Sequence, residues 1–476
     1  MNKSPENKLF DYVVNPNIKE IVLTGRAGTG KTTLVSNLLF SLYNNNSKIT
    51  SDRIMFSTVS NKALNVLQNS INSSINSVIN KSKMRRKHFP VFELNYATIT
   101  QMLNKKLKYN DKGEVVFKNA SHNKFINSLY DSLDLWVIDE FSMIDDDTYK
   151  SIKSIANKHN IKLLFVGDIY QCPPPSGNSC TFWENIKHQI ILDTPRRYEK
   201  NINDFSSVLI RGIDNKYSEE AIKARLTIYQ NENVKVYSNK QVFVNQALDS
   251  FKNNERSIML AYKNETVSNI NKYMRNSLIS TDEYGLNEFE ENDVIICENS
   301  YSTLCQGRRI ITSESYKVIQ CKKIVHTLIV NKNKNYVLFI DNDYPFDPYK
   351  NDDSLIFSIN VWDLVISPLN SVTVEQTICI SLESVNDYEK FKEAAREVLC
   401  EKFDIENLGK VCNLYTKFSH GFSVNVYKSQ GSTYDKVFIH GDDILNLKPL
   451  SLIDKYKSLY TAITRAAKEV HVLITK

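Results

Sequence analysis

The 476-residue sequence predicts an α/β protein of two P-loop-type cores, parallel sheets flanked by helices, with a small hairpin inserted in the first core and a β-rich insertion in the second. Three observations carry this reading. Short apolar strands run without polar alternation, as strands buried on both faces do. Helix-spaced apolar stretches separate them, and a glycine-rich loop joins the first strand to its helix. From about 284 to 410 the pattern changes to short alternating strands.

In order, Ile21 to Leu23 form a strand, Gly25 to Thr33 a glycine loop, and Leu34, Val35, Leu38 and Leu39 one face of a helix. Ile54 to Phe56 lead into a helix with apolar positions Leu64, Leu67, Ile71, Ile75 and Val78. Lys105 to Lys118 read as a hairpin around Asn110 to Gly113. Leu135 to Ile138 end in Asp139 and Glu140, and Lys162 to Val166 end in Gly167 and Asp168. The pattern returns at Ser257 to Tyr262 and after Phe422. The boundaries expected are 1–190 for the first core, with its hairpin at about 104–130; 191–283 and 411–476 for the second; and 284–410 for the insertion.

Composition excludes several classes. With 42% hydrophobic and 24% charged residues the chain is globular rather than disordered. No apolar run reaches membrane-spanning length, and Met1 to Asp11 lack the apolar stretch of a secretory signal, so the expectation is a cytoplasmic protein, or a viral or phage protein acting in its host cell, and not a secreted one. The eight cysteines form no C-x-x-C pair, which speaks against a zinc site. Residues 1–200 hold 27 basic and 18 acidic side chains, a bias compatible with a polyanionic partner.

Gly25 to Thr32 match G-x-x-x-x-G-K-[ST]. Glycines at Gly25, Gly28 and Gly30 let backbone N–H groups of Thr29 and its neighbours turn toward phosphate oxygens. Lys31 reaches the terminal phosphates, and the hydroxyls of Thr32 and Thr33 follow at the helix start. Asp139 beside the same phosphates suits Mg²⁺, together with Thr32, and Glu140 suits activation of a water molecule. Gln171, in a loop stiffened by Pro173 to Pro175, is placed to sense the γ-phosphate.

Gly25 to Thr33, Asp139 to Met143, Gly167 to Pro174, Lys428 to Thr433 and Tyr460 to Arg465 occur in that order with domain-sized gaps. In these motifs the chain resembles superfamily 1B helicases of the RecD-like and Dda-like branch, over nearly its full length. The resemblance implies two RecA-like cores with ATP and Mg²⁺ between them, and single-stranded DNA crossed in the 5′ to 3′ direction. It also implies DNA forks as substrate, a replication or repair setting with replication or single-strand-binding proteins as partners, no membrane, and a monomer.

Carried onto this sequence, the resemblance makes Lys31, Glu140, Gln171, Arg197 and Arg465 catalytic, the two arginines neutralising charge on the γ-phosphoryl. Gln430 and Gly431 join the nucleotide site. Ser60, Asn61, Lys62, Thr98, Thr100, Ser432 and Thr433 contact the strand through its phosphates. For Ser60 and Thr98, helix capping is the competing role. Asn264, Asn271 and Arg275 fit a family pattern or a structural one. The chain departs from the family at Tyr427, Cys172 and Thr100, and has no adenine-reading glutamine before the loop, Asn7 being the nearest residue. The hairpin is expected either to part the duplex or to be a solvated basic hairpin. The basic cluster Lys81 to Lys87 is a loop or a contact to nucleic acid. An RNA helicase, a protein-displacing translocase, or a nucleotide-binding scaffold without turnover are the other functional readings.

Overall fold

The structure is a computed structural model that describes all residues except 1–2, 82–91, 120–123, 176, 178–179, 194–199, 254, 279–286, 300–304, 308–309, 332–335, 341–353, 370–375, 402–403 and 476. In its first half the strands are β1 (Glu20–Gly25), β2 (Ile54–Thr58), β3 (Asn95–Thr98), β4 (Lys105–Tyr109), β5 (Val115–Asn119), β6 (Leu135–Ile138), β7 (Lys162–Gly167) and β8 (Gln189–Leu192). Next come β9 (Val234–Tyr237), β10 (Ser257–Ala261), β11 (Val294–Cys297), β12 (Cys305–Gly307), β13 (Ser315–Asn331), β14 (Tyr336–Ile340), β15 (Ser354–Pro368) and β16 (Thr377–Leu382). The last four are β17 (Phe418–His420), β18 (Ser423–Asn425), β19 (Tyr434–His440) and β20 (Ala466–Leu473).

The chain packs as two compact units. One comprises Met1–Asn104, Ala120–Ile270 and Phe422–Lys476; the other comprises Lys105–Asn119 and Asn271–Gly421. The first unit holds both parallel sheets, in the orders β3-β2-β6-β7-β1-β8 and β18-β10-β19-β20-β9. This is the α/β fold the apolar strands predict. Pleating sends Ile21 and Leu23 of β1 to one face, against Leu34, Leu38, Leu67 and Ile71. Val22 goes to the other face, with Trp136, Phe165, Ile152 and Ala156. A strand apolar at every position is thus satisfied by helices on both sides.

The second unit is built on the antiparallel order β12-β16-β15-β13-β11-β17, with β14 on β13 and the helices Val385–Glu401 and Ile405–Cys412. Its extent differs from the expected 284–410. β17 pairs antiparallel with β11, and Arg275 forms a two-pronged ion pair with Asp293 at 2.7 Å for both contacts. These contacts tie flanking residues to the insertion.

The hairpin β4-β5 forms as its sequence predicts. Gly113 takes φ +73°, and Asn110 Oδ1 accepts from the Lys112 and Glu114 amides. It packs with the insertion rather than the first core. Arg396 Nε donates to Lys112 O at 3.1 Å, and Asn413 Nδ2 to Gly113 O at 3.1 Å. The Tyr109 ring occupies the space a Cβ on Gly409 would need. Chain order shows where a hairpin is inserted, but only packing shows what it rests on. Among the described residues, no helix is long and apolar enough to cross a membrane and no group of His, Cys, Asp or Glu gathers for a metal ion.

Candidate nucleotide-binding and catalytic site

Parallel strands end on the same edge of their sheet, so the loops after β1, β2, β6 and β7 converge. Gly25 closes β1 where a Cβ would lie 2.6 Å from Leu192 O, so β8 approaches only because a glycine stands there. Gly30, at φ +91°, turns the loop into the helix Lys31–Asn44. Lys31 Nζ donates to Gly25 O at 2.6 Å and Arg26 O at 3.1 Å, which folds the side chain over the loop.

A cavity of about 490 Å³ lies at this edge. The first core lines it with Ala27 to Thr33, Asp139, Glu140, Asp168 and Gln171, and the second with Gly431 and Arg465. Asp139 receives the Glu140 amide on Oδ1 at 2.9 Å, and burial raises its pKa. Glu140 stands in the left-handed region at φ +56°, a conformation costing about 1 to 3 kcal/mol for a residue with a Cβ. Burial, then the charge of Asp139, push its carboxyl up to about 7 against the pull of Arg465, Lys31 and Lys62. Arg465 is buried; its Nε donates to Thr461 O at 3.1 Å and its Nη2 to Thr464 Oγ1 at 3.2 Å.

Other expected residues distribute unevenly. Gln430 is buried, and neither side-chain amide atom has a hydrogen-bond partner among the described residues; it does not line the cavity that Gly431 lines. Ser60 and Asn61 are exposed where the helix Asn61–Lys81 begins, and Ser60 Oγ accepts from the Ala63 amide at 3.2 Å. Lys62 Nζ donates to Lys428 O at 3.0 Å, joining the two cores. Thr98 is buried, its hydroxyl committed to a capping box with Gln101, while Thr100 is partly exposed two residues on. Ser432 and Thr433 are partly exposed just before β19. Asn7 is exposed and does not line the cavity, whereas Pro5 and Glu6 do. Arg196 and Arg197 lie outside the described residues, as do Lys83, Arg85, Arg86 and Lys87.

Sequence reasoning missed Tyr460. Its hydroxyl accepts from the Ala27 amide at 3.3 Å and donates to Asp168 Oδ2 at 2.9 Å, in a buried setting. The signal was within a motif already singled out, five residues ahead of Arg465.

Comparison with known proteins bears on the same two halves. Residues 13–177 match the family model for an AAA domain, and residues 420–473 that for a UvrD-like helicase C-terminal domain. The RecBCD enzyme subunit RecD of Buchnera aphidicola subsp. Schizaphis graminum is 26% identical over 478 residues, covering 96% of this chain and 70% of its own. These two matches and the RecD relative support a superfamily 1 helicase of the RecD type. The uncharacterized protein R530 of Acanthamoeba polyphaga mimivirus is 25% identical to this chain over 509 residues, 98% of each chain. The crystal structure of the Pif1 helicase from Candida albicans aligns with a TM-score of 0.49 at 14% identity, over 100% of this chain and 95% of that chain. The glycine loop lies within the first matched region and Arg465 within the second, the two halves that meet at the cavity.

Proposed function

We propose that this chain is an ATP-dependent DNA helicase that couples hydrolysis to 5′ to 3′ movement along single-stranded DNA and to duplex unwinding. The supporting observation is the shared cavity. Phosphate-binding backbone, a lysine, two carboxylates and a glutamine come from one core, and an arginine comes from the other. A scaffold that only bound nucleotide has no use for Glu140 and Arg465 in the same cavity.

In this reading the loop amides and Lys31 hold the phosphates, and Gln171 borders the γ-position. Glu140 orients and deprotonates the attacking water, and Arg465 neutralises developing charge. Thr32 and Asp139 offer the hard oxygen donors that Mg²⁺ takes, and both line the cavity, so they are the residues that would hold it. The chemistry such an ion would supply is neutralisation of phosphate charge. Arg197 joins Arg465 by resemblance alone.

Ser60, Asn61, Lys62, Ser432 and Thr433 form the proposed strand track. Exposed Lys106, Lys108, Lys118 and Phe117 make the hairpin the proposed wedge at the fork. The deciding measurement is unwinding of 5′-tailed and 3′-tailed duplexes with ATP, beside ATPase stimulation by single-stranded DNA and RNA of equal length. Unwinding of the 5′-tailed duplex, with stimulation by DNA, is expected. Stimulation by RNA alone favours the RNA reading, and stimulation by DNA without unwinding favours a protein-displacing translocase.

A further inference from the structure

The helix Leu452–Ile463 of the second core carries Arg465 just beyond its C-terminal end. Polar contacts fasten it to the Asp168–Cys172 loop of the first core, which also holds Gln171. The Tyr460 hydroxyl donates to Asp168 Oδ2 at 2.9 Å. Thr461 Oγ1 accepts from the Cys172 amide at 2.9 Å. Cys172 Sγ lies 3.9 Å from Ser458 Oγ. The same tyrosine oxygen accepts from the Ala27 amide of the phosphate loop at 3.3 Å.

We propose that Tyr460 is a positioning residue for Arg465. Its hydroxyl registers the arginine-bearing helix simultaneously on the phosphate loop and on the Asp168 loop, so that the guanidinium enters the cavity only when both are aligned.

The physical case rests on burial and geometry. Tyr460 is 1% exposed and Asp168 2%, so little water competes for their hydrogen bond and its loss leaves a buried carboxylate oxygen short of a donor. Ala27 is buried as well, and its amide finds its acceptor in this hydroxyl. From Tyr460 to Arg465 the chain runs through the end of one helix with little slack. Arg465 Nε is in turn held by the carbonyl of Thr461, the residue fastened to Cys172. A small rotation of the helix would therefore move the guanidinium, and a displacement of about 1 Å at a reacting centre can cost on the order of a hundredfold in rate. Tyr460 does not line the cavity, so its effect passes through Arg465 rather than through contact with nucleotide.

The inference rests on the hydrolytic reading of the cavity, and the test separates the two. Steady-state ATP turnover with single-stranded DNA is measured for the full chain and for Tyr460→Phe, Thr461→Val, Arg465→Ala and the double variant Tyr460→Phe/Arg465→Ala, with thermal melting as the control for folding. Tyr460→Phe is expected to lower kcat about tenfold while KM for ATP changes less than twofold, and Thr461→Val to do the same more weakly. In the Arg465→Ala background, Tyr460→Phe is expected to add no further loss, because the group it positions is gone.

A normal kcat in Tyr460→Phe, a loss confined to KM, or a double variant whose loss equals the product of the two single losses overturns the positioning role and leaves the hydrolytic reading intact. If Tyr460→Phe melts far below the wild type, Thr461→Val alone decides by the same kcat and KM criteria. An Arg465→Ala variant with wild-type turnover overturns the parent reading, and this inference with it.

Discussion

The backbone of Gly431 passes close to the carboxylate of Glu140: a Cβ on Gly431 would stand 3.9 Å from Glu140 Oε1. Gly431 comes from the second core and Glu140 from the first, and both hold positive φ, +74° and +56°. The acid that would activate water thus faces a backbone segment of the opposite core. Gly431→Ala is expected to lower turnover roughly tenfold, since a residue with a Cβ is strained at φ +74° and its relaxation shifts the backbone that faces Glu140. Steady-state ATPase with nucleotide affinity measured in parallel checks this; unchanged turnover means that Gly431 has room to adjust.

Glu140→Gln keeps the size of the side chain and removes the proposed base. Nucleotide binding is expected to stay within about threefold while turnover falls at least about a hundredfold. Lys31→Ala is expected to weaken binding itself. Equilibrium binding of a fluorescent ATP analogue, set beside phosphate release, separates the two, and near-normal turnover in Glu140→Gln would show that the water is activated elsewhere.

Arg465→Ala removes the cation that the second core brings to the cavity. In related phosphoryl-transfer sites such an arginine supplies about 10³ to 10⁵ in rate, so kcat is expected to fall far more than ATP affinity. A change in affinity alone would make Arg465 a binding residue.

Gly409 has the Tyr109 ring where its side chain would be. Gly409→Val is expected to lift the hairpin from the helix Ile405–Cys412, raise amide exchange in residues 105–119 and abolish unwinding, with strand-stimulated ATPase spared. Deleting residues 108–117 should give the same split. Unwinding that survives the deletion removes the wedge from the mechanism.

His471 supplies a pH signature of stability. Burial, aided by Lys235 and Lys436, lowers its pKa from 6.5 to about 4, although Glu469 pulls the other way. Its ring stacks on Phe438 at 4.3 Å. The unfolded chain binds the proton more readily than the folded one. Stability from this site is therefore complete above pH 6.5 and is lost as pH falls toward 4, by about 3 kcal/mol. Melting temperature measured across that window should fall for the wild type and fall less for His471→Gln; parallel curves would place the acid sensitivity elsewhere.

What was legible in the sequence was what local physics fixes. A lysine after a glycine loop, between an apolar strand and an amphipathic helix, has one common structural meaning, and Asp139 and Glu140 end their strand on the same edge because parallel strands share direction. The apolar β1 needed covering on both faces and has it. Tertiary structure alone decided the rest, because contacts between residues hundreds of positions apart leave no periodic trace. Only packing showed that the Tyr460 hydroxyl lies between Ala27 and Asp168, that the Thr98 hydroxyl is engaged in a cap, and that the 105–119 hairpin rests on the insertion rather than on the core whose chain it interrupts. Sequence spacing records what a segment of backbone prefers, whereas the partner of a buried hydroxyl or of a hairpin face is chosen by whichever distant surface completes its packing.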